Sequence, residues 1–252
     1  MNTIFITGAS TGIGKALADN FNSKGWLVLA AARRIKLLEK NRKNIKNKKK
    51  YIPIRLDITK RDMVDKTITK IFDKHGFPQI IVLNAGTNNP NSKEIFKMEE
   101  LERIYNVNFF GTLNCVNIIL KLKKKISIRS QLVIISSVAG YRGLPYSAAY
   151  CSSKAALTNF AESIYHQCKI IGLRVRVINP GFVKTPLTDK NQFKMPLIIS
   201  AEIAANSIYK KLLYGNSFEI NVPKLFCILM KIIRTLPYSV YFRFTSLLLK
   251  KL

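Results

Sequence analysis

Residues 3–21, TIFITGASTGIGKALADNF, join a strand pattern to a helical pattern through a loop with three glycines. Thr3–Thr7 has the composition of a buried strand, and the apolar residues at 13, 17 and 21 recur at helical spacing. Glycines at such a turn let the backbone approach a pyrophosphate, which the amides at the helix N-terminus stabilise. A tight turn without a ligand is the weaker interpretation. The predicted dinucleotide-binding residues of this loop are Gly8, Ser10, Thr11, Gly12, Ile13 and Gly14.

The second strand pattern, residues 26–32, ends at Arg33 and Arg34. In dinucleotide-binding folds an acidic residue at this point bonds the adenosine ribose, whereas an arginine accommodates a 2′-phosphate. Because the chain offers arginine and no acid here, NADP(H) is favoured over NAD(H). Arg33 is the first candidate for the phosphate ligand and Arg34 the second. The loop spacing, Gly-x-x-x-Gly-x-Gly, differs from the Gly-x-Gly-x-x-Gly of the broader fingerprint.

Strand patterns and helical patterns continue to alternate along the chain. The elements predicted after residue 32 are the strands 51–56, 79–83, 132–135 and 173–178 and the helices 60–74 and 99–123. Asp57 and Asn84 each follow a strand directly, and Asn108 lies among apolar neighbours, where its amide needs a hydrogen-bond partner. The alternation predicts an α/β fold with a doubly wound parallel sheet of the Rossmann type, whose ligands bind at the carboxyl ends of the strands.

The run Ser136–Lys154, SSVAGYRGLPYSAAYCSSK, places a hydroxyl, a phenol and an ammonium close together. Tyr150 and Lys154 are four residues apart and share a face of the helix that begins here. An ammonium beside a phenol favours the phenolate, so we expect Lys154 to lower the Tyr150 pKa from about 10 toward neutrality. A tyrosine tuned in this way exchanges a proton near pH 7. Taken alone, the pair also fits a surface lysine beside a packed tyrosine.

The ordered motifs of the chain resemble those of the classical short-chain dehydrogenases/reductases (SDR) over about residues 3–222. The thirteen-residue step from Ser137 to Tyr150 selects Ser137, rather than Ser136, as the family's catalytic serine. The residues that carry the resemblance are Thr7, Gly8, Gly12, Gly14, Asp57, Asn84, Ala85, Gly86, Asn108, Ser137, Tyr150, Lys154, Pro180, Gly181 and Thr185. The resemblance implies an NADP-binding domain over residues 1–222, followed by a tail over 223–252.

The resemblance also implies an activity, the transfer of a hydride between NADP(H) and a carbonyl or secondary alcohol. Tyr150 would be the general acid, Lys154 would lower its pKa and hold the nicotinamide ribose, and Ser137 would bond the substrate oxygen. Asn108 would hold a water that links Lys154 to solvent. The implied cofactor contacts, besides the glycine loop, the two arginines, Tyr150 and Lys154, are Asp57, Ile58, Asn84, Ala85, Gly86, Pro180, Gly181, Val183 and Thr185.

A function from another class stays open at the level of sequence: a non-catalytic dinucleotide-binding sensor or scaffold that docks through its basic tail. The complete set of Asn108, Ser137, Tyr150 and Lys154 favours the enzyme, because a binding module has no need of a tuned phenol. Fold alone does not decide between the two. The family resemblance further implies a small-molecule substrate and a homodimer or homotetramer.

The formal net charge of +28 invites a nucleic-acid hypothesis. The densest basic run, residues 33–50, has ten basic residues against Glu39 and no aromatic residue between them. Lysines are also abundant at positions typical of ordinary helix surface. We therefore interpret Lys36–Lys50 as a solvated, weakly ordered helix and loop, and we expect no nucleic-acid partner.

The cysteines and the N-terminal residues bear on metal binding and location. The four cysteines form no Cys-x-x-Cys pair and no cluster with histidine, which argues against zinc and against a disulfide framework. We expect reduced, mostly buried thiols and no metal site. A strand pattern follows Met1 almost at once, without a basic leader, so a cytoplasmic location is expected.

The tail, residues 223–252, has six basic residues and no acidic one. Its longest uncharged apolar run, Leu225–Met230, is too short to span a bilayer. We predict two amphipathic helices broken at Pro237, with Lys224, Lys231 and Arg234 on one basic face. Such helices suit either the inner surface of an anionic membrane or a partner subunit.

Overall fold

A parallel sheet forms the centre of the structure, a computed structural model that describes residues 2–89, 97–123, 129–191 and 195–249. Within these residues the sheet has seven strands in the order β3-β2-β1-β4-β5-β6-β9. Its strands are β1 (Thr3–Thr7), β2 (Leu27–Ala32), β3 (Tyr51–Arg55), β4 (Ile80–Leu83), β5 (Ser130–Ile135), β6 (Leu173–Pro180) and β9 (Glu219–Val222). The short strands β7 (Val183–Lys184) and β8 (Ile199–Ser200) pair separately.

Helices cover both faces of the sheet. They are α1 (Gly12–Ser23), α2 (Ile35–Asn44), α3 (Arg61–His75), α4 (Met98–Tyr105), α5 (Gly111–Lys123), α6 (Ala148–Ser163), α7 (Tyr165–Ile170), α8 (Ala201–Tyr214), α9 (Lys224–Thr235) and α10 (Tyr238–Leu249). Ile4 and Ile6 pack with α1, α2 and α8, whereas Phe5 packs with α3, α5 and α6 on the other face. The predicted doubly wound Rossmann-type sheet is confirmed, and its strand order reverses between β1 and β4, where ligands bind in such folds.

The predicted helix over 99–123 is interrupted by a π-helical turn at Asn106–Phe110, which separates α4 from α5. The side chain of Asn108 is drawn into hydrogen bonds with Thr87, and the Thr112 hydroxyl donates to the Asn108 carbonyl at 2.8 Å. These bonds supplement the widened turn, in which the Gly111 N–H donates to the Asn106 carbonyl five residues earlier. Turns of this kind are frequent at functional sites, and this one places Asn108 under the cleft.

The basic run 33–50 forms α2, an irregular connection and a 3-10 turn at Lys48–Lys50. Leu38 anchors α2 in the core, and the lysines of both segments are exposed or half-buried. This arrangement agrees with the predicted solvated helix and loop, although α2 is a regular helix.

The tail forms α9 and α10, separated at Pro237 as predicted, with residues 250–252 outside the described part. Phe226, Cys227 and Met230 of α9 are buried against Val138 and Tyr141. The tail therefore packs on the segment that connects Ser137 to Tyr150. In the described part of the chain no helix has the length and apolar content to cross a bilayer.

Lys231 of the predicted basic face of α9 forms an ion pair with Glu219 on β9, although its side chain is 43% exposed. Glu219 also accepts hydrogen bonds from Tyr141 at 2.5 Å and from Asn179 at 2.8 Å. Burial alone would raise the pKa of Glu219, but the hydrogen bonds, led by that from Lys231, outweigh it and keep the pKa below its usual value. A partly buried carboxylate needs such a partner, and Lys231 supplies it.

Arg142 caps the C-terminus of α9. Its guanidinium donates to the carbonyls of Ile233, Arg234 and Leu236 at 2.9, 3.0 and 2.7 Å, and it stacks 3.9 Å from the Tyr241 ring centroid. The Tyr241 hydroxyl donates in turn to the Gly143 carbonyl. Both tail helices thus hold the segment before Tyr150.

Phe226→Ala tests whether the tail belongs to the cooperative fold. Phe226 is 5% exposed and its ring lies 5.1 Å from that of Phe182, so we expect the unfolding free energy to fall by about 3 kcal/mol. The neighbouring Leu225 is 67% exposed, and Leu225→Ala should change it by less than about 0.5 kcal/mol. Urea unfolding of both variants measures this difference, and equal effects would contradict the packing of α9.

Candidate active site

The loop between β1 and α1 depends on three glycines. Gly8 and Gly12 have φ values of +67° and +59°, in the left-handed region that favours glycine. A Cβ on Gly14 would lie 2.4 Å from the Gly8 carbonyl oxygen, so no side chain fits there. Thr11 precedes α1 without a side-chain capping bond, and the first turn contains no acidic residue. This helix end therefore keeps its positive partial charge for an anion in the cleft.

Asn84 holds the glycine loop to the end of β4. Its side-chain amide donates to the carbonyls of Thr7 and Gly8 at 3.1 and 3.2 Å, and its backbone N–H donates to the Thr7 hydroxyl at 3.0 Å. Asn84 thus shapes the phosphate loop as well as lining the cleft beside Ala85 and Gly86.

Arg33 and Arg34 are both exposed at one end of the cleft. The Arg34 guanidinium donates to the hydroxyls of Ser10 and Thr11 at 3.2 Å each, which holds it against the glycine loop. The two arginines make this end of the cleft strongly positive, as a phosphate ester requires.

Ser137, Tyr150 and Lys154 lie together on the opposite side of the cleft from α1. The Ser137 hydroxyl accepts from the Ala139 N–H at 3.1 Å and lies near enough to the Tyr150 phenol to lower its pKa. Lys154 is 4% exposed, donates to the Ile135 carbonyl at 2.9 Å, and places its ammonium 5.8 Å from the Tyr150 ring centroid.

The expected lowering of the Tyr150 pKa is wrong for this arrangement. Burial raises the pKa of Tyr150 to about 12, against an opposing hydrogen bond from Ser137. Burial also lowers the pKa of Lys154 to about 8. The loss of hydration outweighs any attraction between the Tyr150 phenolate and the Lys154 ammonium, because the ammonium lies beside the Tyr150 ring and is bonded to the Ile135 carbonyl.

Asn108 is fully buried behind the cleft. Its Oδ1 accepts from the Thr87 N–H at 2.7 Å, and its Nδ2 donates to the Thr87 carbonyl at 3.0 Å and to the Ser153 hydroxyl at 3.1 Å. A Cβ on Gly86 would lie 3.3 Å from Asn108 Oδ1 and 3.6 Å from Lys154 Nζ. The two side chains therefore both lie close to Gly86.

One cleft at the carboxyl ends of the strands brings the other predicted residues together. Gly14 and Asn108 do not line the cleft but lie behind the residues that do. The predicted residues that line it are Gly8, Ser10, Thr11, Gly12, Ile13, Arg33, Arg34, Asp57, Ile58, Asn84, Ala85, Gly86, Ser137, Tyr150, Lys154, Pro180, Gly181, Val183 and Thr185.

The predicted catalytic and cofactor-binding residues did not include Thr59, Thr87 and Thr188, which also line the cleft. The Thr59 hydroxyl and N–H both donate to Asp57, and the Thr188 hydroxyl donates to the Val183 carbonyl at 2.7 Å. Each lies within five residues of a predicted position, which is the one signal that could have found it.

The sequence model described as short chain dehydrogenase matches residues 2–195. The chain belongs to this family. It is 32% identical over 242 residues to an uncharacterized oxidoreductase of Myxococcus xanthus. The aligned residues cover 95% of this chain and 94% of the relative. This member of the short-chain dehydrogenases also resembles the crystal structure of ElxO with NADP bound, with 26% identity and a TM-score of 0.76 over 88% of this chain and 96% of ElxO.

The fold is likewise shared with a 3-ketoacyl-(acyl-carrier-protein) reductase from Brucella melitensis complexed with NADH. That likeness has a TM-score of 0.79 at 22% identity and covers 88% of this chain and 96% of the reductase. Similar folds thus hold either nicotinamide dinucleotide, and the choice between the two cofactors depends on local residues.

The buried Lys154 predicts a pH-dependent stability. Its pKa is lowered to about 8, so folding with a charged Lys154 costs free energy below that pH, and the cost is relieved as pH rises toward the unfolded value. Relative to Lys154→Met, the wild type should gain about 2 kcal/mol of unfolding free energy between about pH 7 and about pH 9.5. Urea unfolding at the two pH values measures this change. A difference that does not vary with pH would contradict the lowered pKa.

Proposed function

We propose that this protein is an NADPH-dependent oxidoreductase that transfers a hydride between the nicotinamide and a carbonyl or secondary alcohol. The observation that supports this most is the convergence of Ser137, Tyr150 and Lys154 on a cleft whose other side is the glycine loop and the N-terminus of α1. The glycine cradle and the basic end of the cleft fit a dinucleotide. A bound nicotinamide supplies the hydride, and the protein supplies position and proton transfer.

In the proposed reaction, Ser137 and Tyr150 hold the substrate oxygen by hydrogen bonds, and Tyr150 donates its proton to that oxygen. Burial raises the pKa of Tyr150 to about 12, so the phenol is protonated at neutral pH and is a weaker acid than one whose pKa lies near pH 7. Lys154 would donate to the ribose hydroxyls of a bound cofactor and would return a proton to Tyr150, taking one in turn from a water. Asn108 has one Oδ1 lone pair left, which would hold a water beside Lys154.

The proposed preference for NADP(H) rests on Arg33 and Arg34. Arg34 is already held by two hydroxyls of the glycine loop, so Arg33 is the better candidate for the main ligand of the 2′-phosphate. The adenine side would be held by Asp57 and Ile58. The central part and the nicotinamide would be held by Asn84, Ala85, Gly86, Pro180, Gly181, Val183 and Thr185.

The sensor or scaffold alternative is not favoured, because the chain belongs to a dehydrogenase family and its phenol, hydroxyl and ammonium converge in the cleft. We further propose a small-molecule substrate, a cytoplasmic location, a homodimer or homotetramer, and no nucleic-acid partner. Residues 1–222 would bind the cofactor, and residues 223–252 would add the tail.

Tyr150→Phe tests the proposed acid. The variant should bind NADPH nearly as the wild type does, yet lose about 10²- to 10⁴-fold in the rate of carbonyl reduction, because it removes the proton donor. Tyr146→Phe, an exposed position in the preceding loop, is the matched control and should keep the wild-type rate. NADPH oxidation over a panel of ketones and aldehydes measures both. A Tyr150→Phe rate near that of the wild type would exclude this mechanism.

Arg33→Ala tests the cofactor preference. The wild type should bind NADPH about tenfold or more tightly than NADH, and Arg33→Ala should remove most of that ratio with little change in NADH affinity. Arg34→Ala should lower the ratio less and should also weaken NADH binding, because it frees the hydroxyls of the glycine loop. Fluorescence titration with both cofactors measures the four affinities. Equal wild-type affinities would contradict the proposal.

A further inference from the structure

Helices α9 and α10 each expose a second apolar face, turned away from the domain. We call this surface the outer tail face. Its members are Leu225, Ile228, Leu229, Ile232, Val240, Phe242, Phe244 and Leu247, each between 42% and 67% exposed. Soluble monomers rarely expose a contiguous apolar patch of this kind, and larger patches mark protein or membrane interaction sites.

The packing of the tail leaves the outer tail face outside. On α9 the inner residues Phe226, Cys227 and Met230 are buried, and on α10 Tyr241 and Thr245 are buried. The exposed apolar residues recur at helical spacing on the other face of each helix, as Leu225, Ile228, Leu229 and Ile232 do on α9. No rotation of either helix would therefore bury both faces. The ion pair of Lys231 with Glu219 and the cap by Arg142 hold α9 in this orientation.

The charge around the outer tail face is of one sign. Lys224, Arg234 and Arg243 are exposed beside it, and residues 223–252 contain no acidic residue. If a second copy covered this face through a two-fold axis, its own tail would offer no acidic residue to pair with this basic rim. An anionic lipid surface instead accepts the aliphatic and aromatic side chains and attracts the basic rim.

We propose that the outer tail face inserts into the surface of an anionic lipid bilayer, with α9 and α10 lying in the plane of the interface. The Phe, Leu, Ile and Val side chains of the outer tail face enter the boundary between headgroups and acyl chains, and the basic side chains contact the headgroups. Arg142 and Gly143 join these helices to the segment that leads from Ser137 to Tyr150. Docking therefore holds that segment at a set orientation to the bilayer.

Sedimentation of the full chain with lipid vesicles tests this proposal. The wild type should sediment with vesicles of phosphatidylcholine and phosphatidylserine, bind phosphatidylcholine vesicles weakly, and be released in part as salt rises. Ile232→Glu should weaken binding to the mixed vesicles by about tenfold or more, because an aliphatic side chain that would enter the lipid becomes a carboxylate. Leu229→Glu is a second variant on the same face and should act alike.

Ile203→Glu on α8 is the matched control, since Ile203 is 60% exposed and Ile232 is 57% exposed. It adds the same charge elsewhere and should leave vesicle binding unchanged. Urea unfolding and NADPH affinity should be unchanged in all three variants, which separates a failure of docking from a failure of the fold or of the proposed function.

Three outcomes would overturn the proposal. The first is a wild type that does not sediment with the mixed vesicles. The second is an equal loss of binding in Ile203→Glu, which would show a general charge effect. The third is a fall in the mass measured by light scattering for Ile232→Glu with vesicle binding retained, which would assign the face to a contact between copies of this chain.

Discussion

The absence of a side chain at Gly14 is the constraint on which the cleft depends. The Gly8 carbonyl and the Asn84 amide both occupy the space that a Cβ on Gly14 would need. Because Gly14 has no side chain to displace these two groups, α1 begins directly over the end of β1, and the hydrogen bonds of Asn84 and Thr7 join the two strands that flank the reversal in the sheet. The helix end and the strand ends then face the same cleft.

Lys154 is the most costly feature of this cleft. A buried ammonium loses its hydration, and its hydrogen bond to the Ile135 carbonyl offsets that loss only in part, as its lowered pKa shows. An apolar residue at this position would avoid the cost. A strongly perturbed ionisable group in a cleft is typical of functional sites, which agrees with the role that we propose for Lys154.

The tail completes the domain beyond the region that the family model matches, which ends at residue 195. Phe226 packs against Gly181, where a Cβ would lie 2.5 Å from its ring, so the tail directly supports the end of β6 that lines the cleft. Glu219 joins β9, α9 and Tyr141 in one network. The same two helices thus support the cleft with their inner faces and present an apolar surface with their outer faces.

The sequence by itself determined the alternation of strands and helices and the doubly wound sheet, and the family resemblance supplied many of the residues that line the cleft. Hydrophobic periodicity and glycine spacing are local properties, and the carboxyl ends of parallel strands necessarily meet at one edge. The tertiary structure alone decided the π-helical turn at Asn106–Phe110, the ion pair of Lys231 with Glu219, and the direction of the Tyr150 pKa shift. Each depends on desolvation or on a partner distant in the chain: Thr87 lies 21 residues from Asn108, and Glu219 lies 12 residues from Lys231 and 78 from Tyr141. Local patterns carry no record of such partners, because burial and long-range pairing exist only once the chain has folded.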